Sequence, residues 1–185
     1  MTFGMDGTSI LVELNSSVVN RIRHMTRKSI PNETGGILIG KYDLRRQRAV
    51  VKTATAAPED SISTPITFHR GARGLQKILD AAWSRGEYYL GEWHFHPEAV
   101  PNASTVDRDQ MAAFAGMREL HCPEPLLLIA GLPKNGGAIT AYAFLGELID
   151  LRLIGSMSND GSISSQASVS GQDKTAEKPE LRSQC

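Results

Sequence analysis

Short apolar runs alternate along the first part of the chain with segments whose apolar residues lie three or four apart. Runs of about four to eight apolar or alternating residues are typical of strands, whereas the wider spacing marks one face of a helix. Strands are predicted for Ile10 to Leu14, GGILIGKYD, RAVVKTATA, Pro65 to His69, Tyr88 to Phe95, Pro125 to Ala130 and Ala138 to Phe144. GGILIGKYD, RAVVKTATA and Pro65 to His69 are expected to form an antiparallel sheet, because a short turn joins GGILIGKYD to RAVVKTATA.

Three segments have the apolar spacing of helices. In the first of them, Val18, Ile22 and Met25 lie on one face, and Asn15 is a candidate capping residue. The predicted helices run from Asn15 to about Lys28, from Ala72 to Trp83, and from near Ser104 to near Met117. The order of the elements therefore predicts an α/β domain with antiparallel strands and flanking helices.

The composition changes at about residue 154. From there to residue 185 the chain is rich in Ser, Gly, Gln, Lys and Glu and contains no aromatic residue. Such a segment cannot bury enough apolar surface to offset the entropy lost on ordering the chain. The sequence therefore predicts a folded domain over residues 1–153 and a disordered tail over residues 154–185.

Composition and charge narrow the possible classes of partner. The chain has 185 residues, with 20 Lys and Arg against 20 Asp and Glu, which gives zero formal net charge. A basic excess that could neutralise several phosphates is lacking, so nucleic acid is not expected as a partner. The sequence also lacks an apolar run of about 20 residues, which a membrane helix needs, and an apolar leader at its start. We therefore expect a cytosolic protein without membrane contact.

The segment WHFHPEAVPNASTVD carries candidate metal ligands. His94 and His96 are two residues apart on a predicted strand, so their rings project from the same face. Ser104 and Asp107 follow, which gives the pattern H-x-H-x7-S-x2-D. Two imidazoles and one carboxylate leave the fourth tetrahedral position of a zinc ion open for water, as in catalytic sites. The same Ser104 and Asp107 also match a helix-capping pattern, and the two roles are compatible.

This pattern, together with Glu33 upstream in NETGGILIG, resembles the JAMM signature of the JAB1/MPN metalloprotease family. The resemblance extends from about Ser9 to Leu153 and includes the ETGGILIG, FHRG and YYLGEWHFHP segments. It implies a curved, mostly antiparallel sheet flanked by helices, of the cytidine-deaminase-like type. It also implies that His94, His96 and Asp107 bind Zn²⁺, that Glu33 is the general acid and base, and that Ser104 stabilises the oxyanion.

The implied activity is hydrolysis of the amide or isopeptide bond after the C-terminal glycine of a ubiquitin-like protein. The chain looks most similar to small bacterial JAB peptidases that accompany E1-like and E2-like proteins in anti-phage operons, such as those linked to CBASS. Two alternatives remain open. One is trimming of a sulfur-carrier protein to expose its diglycine end, and the other is a non-catalytic MPN scaffold.

Several other residues are expected to have structural roles. Phe95 stands where the family commonly has Ser or Thr, and its position between two ligands predicts a side chain directed toward the core. Glu92 and Glu98 are expected to face solvent. The aromatic residues near the histidines are predicted to lie in the core, and they are Trp83, Tyr88, Tyr89 and Trp93.

Overall fold

The computed structural model describes residues 1–5, 10–43, 45, 47–97, 101–132, 138–157 and 163–164. Three helices of nine or more residues are present in these ranges, and they are α1 (Ser16–Ser29), α2 (Leu75–Trp83) and α3 (Thr105–Gly116). A short 3-10 helix spans Arg118–Leu120. The strands are β1 (Thr2–Gly4), β2 (Leu11–Leu14), β3 (Thr34–Tyr42), β4 (Arg48–Ala54), β5 (Ile62–Ser63), β6 (Phe68–His69), β7 (Tyr88–Phe95), β8 (Leu126–Ala130), β9 (Ile139–Phe144), β10 (Leu148–Met157) and β11 (Ile163–Ser164).

The main sheet closes on itself. Its order is β1-β2-β4-β3-β7-β8-β9-β10-β11, and β1 also pairs with β10, so eight strands form a barrel. Two pairs are parallel, β2 with β4 and β7 with β8, while the other pairs are antiparallel. The prediction of an α/β domain with a curved, mostly antiparallel sheet is thus confirmed. The closure of that sheet into a barrel was not predicted from the sequence.

The two faces of the sheet bury separate sets of side chains. The inward-facing residues, among them Trp93 and Phe95, share one apolar core with Val18 and Ile22 of α1. On the opposite face, α2 packs over β3 and α3 packs over β8 and β9. Phe95 is fully buried in the inner core, as predicted from its position between the two histidines.

A bulge at Gly91 decides which residues of β7 face outward. Gly91 pairs with Leu38, whereas Tyr89 pairs with Ile39, so β7 carries one extra residue at this point. Gly91 has φ +142, and a Cβ there would lie 1.9 Å from the carbonyl oxygen of Leu126. Only glycine fits this position, and the bulge brings Tyr89 onto the same face as Glu92.

The three predicted helices are confirmed, and the strand predictions need two corrections. Phe68 and His69 pair with Ile62 and Ser63 in a separate two-stranded sheet instead of joining the antiparallel sheet of β3 and β4. The strands β1 and β10, which close the barrel, were not predicted from the sequence. No helix in the described ranges has the length and apolarity needed to cross a membrane.

The predicted domain boundary at residue 153 falls within β10, which continues to Met157. Apart from Ile163–Ser164, which pairs with the end of β10, residues 158–185 lie outside the described residues. The disordered tail, predicted over residues 154–185, therefore stays a prediction for residues 158–162 and 165–185.

Candidate metal centre

The two predicted histidine ligands lie at the end of β7. His94 pairs with Gly35 of β3 on one side and with Ile129 of β8 on the other. His96 follows the strand, and its backbone N–H donates to the Ala130 carbonyl at 3.0 Å. The backbones of both histidines are therefore hydrogen-bonded to neighbouring strands. The register of these hydrogen bonds continues that of the apolar residues of β7 that precede the histidines.

Asp107 reaches the histidines from the first turn of α3. Ser104 is the N-cap of this helix, and its hydroxyl accepts the backbone N–H of Asp107 at 3.1 Å. In return, Asp107 Oδ2 accepts the Ser104 backbone N–H at 2.8 Å and the Ser104 hydroxyl at 2.6 Å. This reciprocal capping box confirms the helix-capping pattern that the sequence indicated for Ser104 and Asp107. It also fixes the direction of the Asp107 carboxylate.

His94, His96 and Asp107 each offer one ligand atom, and these three atoms lie within 4.8 Å of one another. Nδ1 of His94 is 2.6 Å from Asp107 Oδ1, and Nε2 of His96 is 3.6 Å from Asp107 Oδ2. Nε2 of His94 is buried and has no hydrogen-bond partner among the described residues. A buried ring nitrogen without a partner is costly unless something else binds there. The donor set of two imidazoles and one carboxylate fits a zinc ion.

The electrostatic surroundings keep Asp107 ionised. Burial raises the pKa of its carboxyl, but the hydrogen bond and charge of His94, together with the Ser104 hydroxyl and N–H, lower that pKa to about 2. Asp107 therefore carries a full negative charge over the physiological pH range. An ionised carboxylate is the form that binds a cation.

The loop before α3 holds the second histidine ring. Nδ1 of His96 lies 3.1 Å from the backbone carbonyl oxygen of Asn102. The same loop is attached to β9, because the Thr140 hydroxyl donates to the Pro101 carbonyl and the Tyr142 hydroxyl accepts the Ala103 N–H. Because the Asn102 carbonyl lies at Nδ1, Nε2 of His96 points toward Asp107. A metal ion bound by both residues requires this orientation.

Glu33 lies at the entrance to the neighbouring strand β3. It directly precedes Thr34, which pairs with Phe95, so Glu33 sits beside the strand end that bears both histidines. Its backbone is held by the hairpin of β5 and β6, since its N–H donates to the Thr64 carbonyl at 2.8 Å and its carbonyl accepts the Ser63 hydroxyl. Its side chain is half-buried.

The site is packed tightly around His94. The Phe68 ring of β6 meets the His94 ring edge to face, with ring centroids 5.7 Å apart. On the other side, a Cβ at Gly35 would come within 2.9 Å of His94 Cδ2 and 2.7 Å of Phe68 Cε1. The hydrogen of Gly35 is thus what allows the two rings to lie against β3.

Glu92 is a buried charge that the sequence analysis assigned to the surface, and this prediction is wrong. Its carboxylate accepts Arg70 Nε at 2.7 Å and the Tyr89 hydroxyl at 2.8 Å, and the whole residue is inaccessible to solvent. Burial raises the pKa of Glu92, while the Arg70 charge opposes this shift. The Arg70 guanidinium also lies over the Phe114 ring of α3, with Cζ 5.6 Å from the ring centroid.

Arg70 therefore follows β6 directly and contacts two further elements that surround the site, namely β7 and α3. The sequence held one signal for this burial, because Glu92 is the one acidic residue in the mostly apolar and aromatic run YYLGEWHF. A charge in such a place is buried only when it is paired.

Two aromatic predictions are also wrong. Trp93 and Tyr89 are in the core as expected, but Trp83 is 66% exposed and Tyr88 is 44% exposed. Both lie at the opposite end of the barrel from the histidines, at the end of α2 and the start of β7. Glu98, which was expected to face solvent, lies outside the described residues.

Comparisons with known proteins agree with this architecture. The family described as prokaryotic homologs of the JAB domain matches residues 15–143. A protein of Enterobacter hormaechei named CD-NTase/cGAS isopeptidase is 40% identical over 131 residues, which cover 71% of this chain and 73% of that protein. A desampylase of Haloferax volcanii is 27% identical over 139 residues, covering 75% of this chain and 88% of that protein.

Among solved structures, the chain is similar to the solution structure of protein DSY2949 from Desulfitobacterium hafniense. The TM-score is 0.56 with 19% sequence identity, and the alignment covers 75% of this chain and 88% of that one. At this identity the similarity shows a shared fold.

Proposed function

Because the chain belongs to the family of prokaryotic homologues of the JAB domain, we propose that it is a zinc-dependent isopeptidase acting on a ubiquitin-like protein. It cleaves the amide bond after the C-terminal glycine of that protein, in conjugates or in precursors. The names of four relatives, CD-NTase/cGAS isopeptidase, support a place in CBASS anti-phage defence.

The observation that carries the proposal is the convergence of His94, His96 and Asp107, whose ligand atoms lie within 4.8 Å of one another. These three residues hold the zinc ion in the proposed enzyme. The buried Nε2 of His94, which has no hydrogen-bond partner in the part of the chain that the structure describes, and the low pKa of Asp107 both favour a bound cation. A non-catalytic scaffold has no need for such a ligand set, so this alternative is disfavoured.

Zinc held by His94, His96 and Asp107 would supply Lewis-acid chemistry toward water and toward the carbonyl of the scissile bond. Glu33, at the entrance to β3, takes the proton of the attacking water and later delivers it to the nitrogen of the leaving amine. The proton thus moves from water to product through one carboxylate, and the hydrolysis is balanced without a further reactant.

Ser104 has two tasks in this scheme. Its hydroxyl holds the Asp107 carboxylate at 2.6 Å, and it stands at the N-terminus of α3, where the backbone N–H groups favour negative charge. A hydroxyl has one proton, which is donated to Asp107 in this structure, so we propose that during turnover the Ser104 hydroxyl turns this proton to the oxyanion on the substrate carbonyl. Both tasks follow from the same N-cap position.

The test is hydrolysis of a panel of ubiquitin-like proteins fused through their C-terminal glycine to a reporter. Sulfur-carrier proteins with C-terminal extensions are included in the panel. Zinc-loaded wild type is expected to cut after the glycine, and chelator is expected to abolish the cleavage. The member that is cut fastest distinguishes deconjugation from sulfur-carrier trimming.

Two variants with matched controls assign the roles. Glu33→Gln is expected to retain zinc and lose turnover, whereas Glu59→Gln changes an exposed carboxylate and should behave as wild type. His94→Ala should lose the metal, whereas His24→Ala on the exposed face of α1 should keep it. A chain that takes up no zinc would contradict the proposal, as would a Glu33→Gln variant with wild-type turnover.

A further inference from the structure

An open groove of about 630 Å³ lies at the end of the barrel opposite the metal centre. Tyr88 lines it and is six residues before His94 along β7, so the groove is roughly 20 Å from the metal ligands. Its apolar and aromatic lining consists of Tyr42, Leu79, Trp83, Tyr88, Tyr89 and Leu120. We call it the α2 groove, because Leu79 and Trp83 belong to that helix.

Two of the aromatic side chains that line the α2 groove are open to solvent. Trp83 is 66% exposed and Tyr88 is 44% exposed, and their rings meet edge to face with centroids 5.2 Å apart. Large aromatic side chains held rigidly at the surface are typical of the anchor residues of protein interfaces. Tyr88 follows a short turn after α2, so both rings are fixed by the barrel and the helix that packs on it.

The groove also carries one sign of charge. Four carboxylates line it, those of Asp43, Asp80, Glu87 and Glu119, and no lysine or arginine is among its described lining residues. Glu87 is paired with Arg85 at 3.0 Å. In the described part of the chain, the other three carboxylates have no ion pair.

We infer that the α2 groove binds a polypeptide segment of a partner protein in which Arg or Lys side chains flank an apolar residue. The apolar residue fits between Leu79, Trp83 and Tyr88, where its side chain is removed from contact with water. Asp80 accepts a hydrogen bond from the Gln76 amide at 2.8 Å, but neither Asp80 nor Glu119 is in an ion pair with a described residue. A guanidinium or ammonium group can lie on the open Trp83 ring and face these two carboxylates. An acidic segment is repelled by the same groups.

This inference goes beyond the proposed hydrolysis, because the groove is remote from the metal ligands and its binding needs no metal. It gives the chain a second contact with a partner protein, at the opposite end of the barrel from the site of cleavage. The two contacts can therefore be tested separately.

Tryptophan fluorescence measures binding at the groove directly. Trp93 is fully buried and its indole N–H donates to the Thr55 carbonyl, whereas Trp83 lies in the groove, so a ligand-induced change reports on Trp83. The probe is the acetylated and amidated peptide Ala-Arg-Leu-Arg-Ala. The matched peptide has citrulline, which is neutral and of nearly the same shape, in place of each arginine.

We expect a saturable change with the arginine peptide, weaker binding as salt is added, and affinity at least about tenfold lower for the citrulline peptide. The double variant Asp80→Asn/Glu119→Gln keeps the Trp83 reporter and should lose most of the affinity. The control Glu147→Gln/Asp150→Asn changes two exposed carboxylates outside the groove and should bind as wild type.

The His94→Ala variant separates this inference from the proposed enzyme, since it should bind the peptide normally even though it lacks activity. Equal affinity for both peptides, wild-type affinity of the groove variant, or no saturable change would overturn the inference. Self-association of the chain that is lost in the groove variant would identify a second copy as the occupant and would also overturn it.

Discussion

The single hydrogen of Gly35 governs the packing of a predicted metal ligand. Gly35 pairs with His94 across the β3–β7 ladder, and a Cβ at this position would lie 2.4 Å from the Trp93 carbonyl oxygen and 2.9 Å from His94 Cδ2. One of these atoms is backbone and the other belongs to a ring held by Phe68 and Asp107. Neither can move without disturbing the site.

Gly35→Ala is therefore expected to destabilise the fold by about 1–3 kcal/mol and to weaken zinc binding, because the added methyl displaces the His94 ring. Chemical denaturation and zinc titration measure the two effects. The matched change Gly116→Ala places a methyl where nothing lies within 4 Å, at the end of α3, and should be neutral or slightly stabilising. A Gly35→Ala variant with wild-type zinc affinity would show that the ring adapts.

Ser104 combines a structural and a chemical task at one hydroxyl. Ser104→Ala removes the N-cap of α3 and should cost about 1 kcal/mol of stability. At saturating zinc the variant should turn over roughly a hundredfold more slowly, the loss typical of one oxyanion donor. Ser104→Thr retains a hydroxyl and should recover both properties. Wild-type turnover in the alanine variant, with only its melting temperature lowered, would restrict Ser104 to the capping role.

At the scale of elements, Arg70 joins the pieces that surround the site. It follows β6, bonds to Glu92 of β7 and lies over Phe114 of α3. These elements carry Phe68, His94 and Asp107 respectively. The ion pair is buried, with 13% of the Arg70 side chain and 1% of the Glu92 side chain exposed, so each charge depends on the other.

Arg70→Met is expected to destabilise the protein by about 3 kcal/mol, because it leaves the Glu92 carboxylate buried without a cation. Adding Glu92→Gln should recover part of this loss. The control Arg48→Met breaks an exposed pair with Glu13 and should cost less than about 1 kcal/mol. Urea denaturation of the three variants and wild type measures the difference, and equal losses in Arg70→Met and Arg48→Met would contradict a buried role.

At the scale of the whole molecule, two strands near opposite ends of the described chain close the barrel. Phe3 of β1 pairs with Leu153 of β10, and Thr2 pairs with Gly155. Without this contact, β1 and β10 would expose two unpaired edges and the inner core would open to solvent. The closure therefore protects the strands that carry the candidate site.

Phe3 and Leu153 give a matched test of this closure, since they are partners on the same ladder but only Phe3 is buried. Phe3→Ala should cost about 3–5 kcal/mol, because it empties part of the inner core. Leu153→Ala changes a side chain that is 53% exposed and should cost about 0.5 kcal/mol. Thermal unfolding compares the two, and a small effect of Phe3→Ala would mean that the barrel core does not depend on β1.

The sequence by itself determined the features that depend on local spacing. Apolar periodicity predicted α1, α2, α3 and the strands β2, β3, β4, β7, β8 and β9, because side-chain periodicity follows directly from backbone geometry. The same rule predicted that the side chains of His94 and His96 share one face and that Phe95 points into the core. The spacing from His96 to Asp107 indicated a shared site, which the structure brings within 4.8 Å.

Only the tertiary structure decided the features that depend on distant contacts. Three examples are the pairing of Phe3 with Leu153, the bulge at Gly91 and the burial of Glu92 against Arg70. Each depends on contacts between segments far apart in the sequence, which apolar periodicity does not relate to one another. Trp83 is a further example, because an aromatic residue on an amphipathic helix is core or surface according to what packs over it. Local pattern specifies which face a residue occupies, whereas the assembled sheet specifies what that face meets.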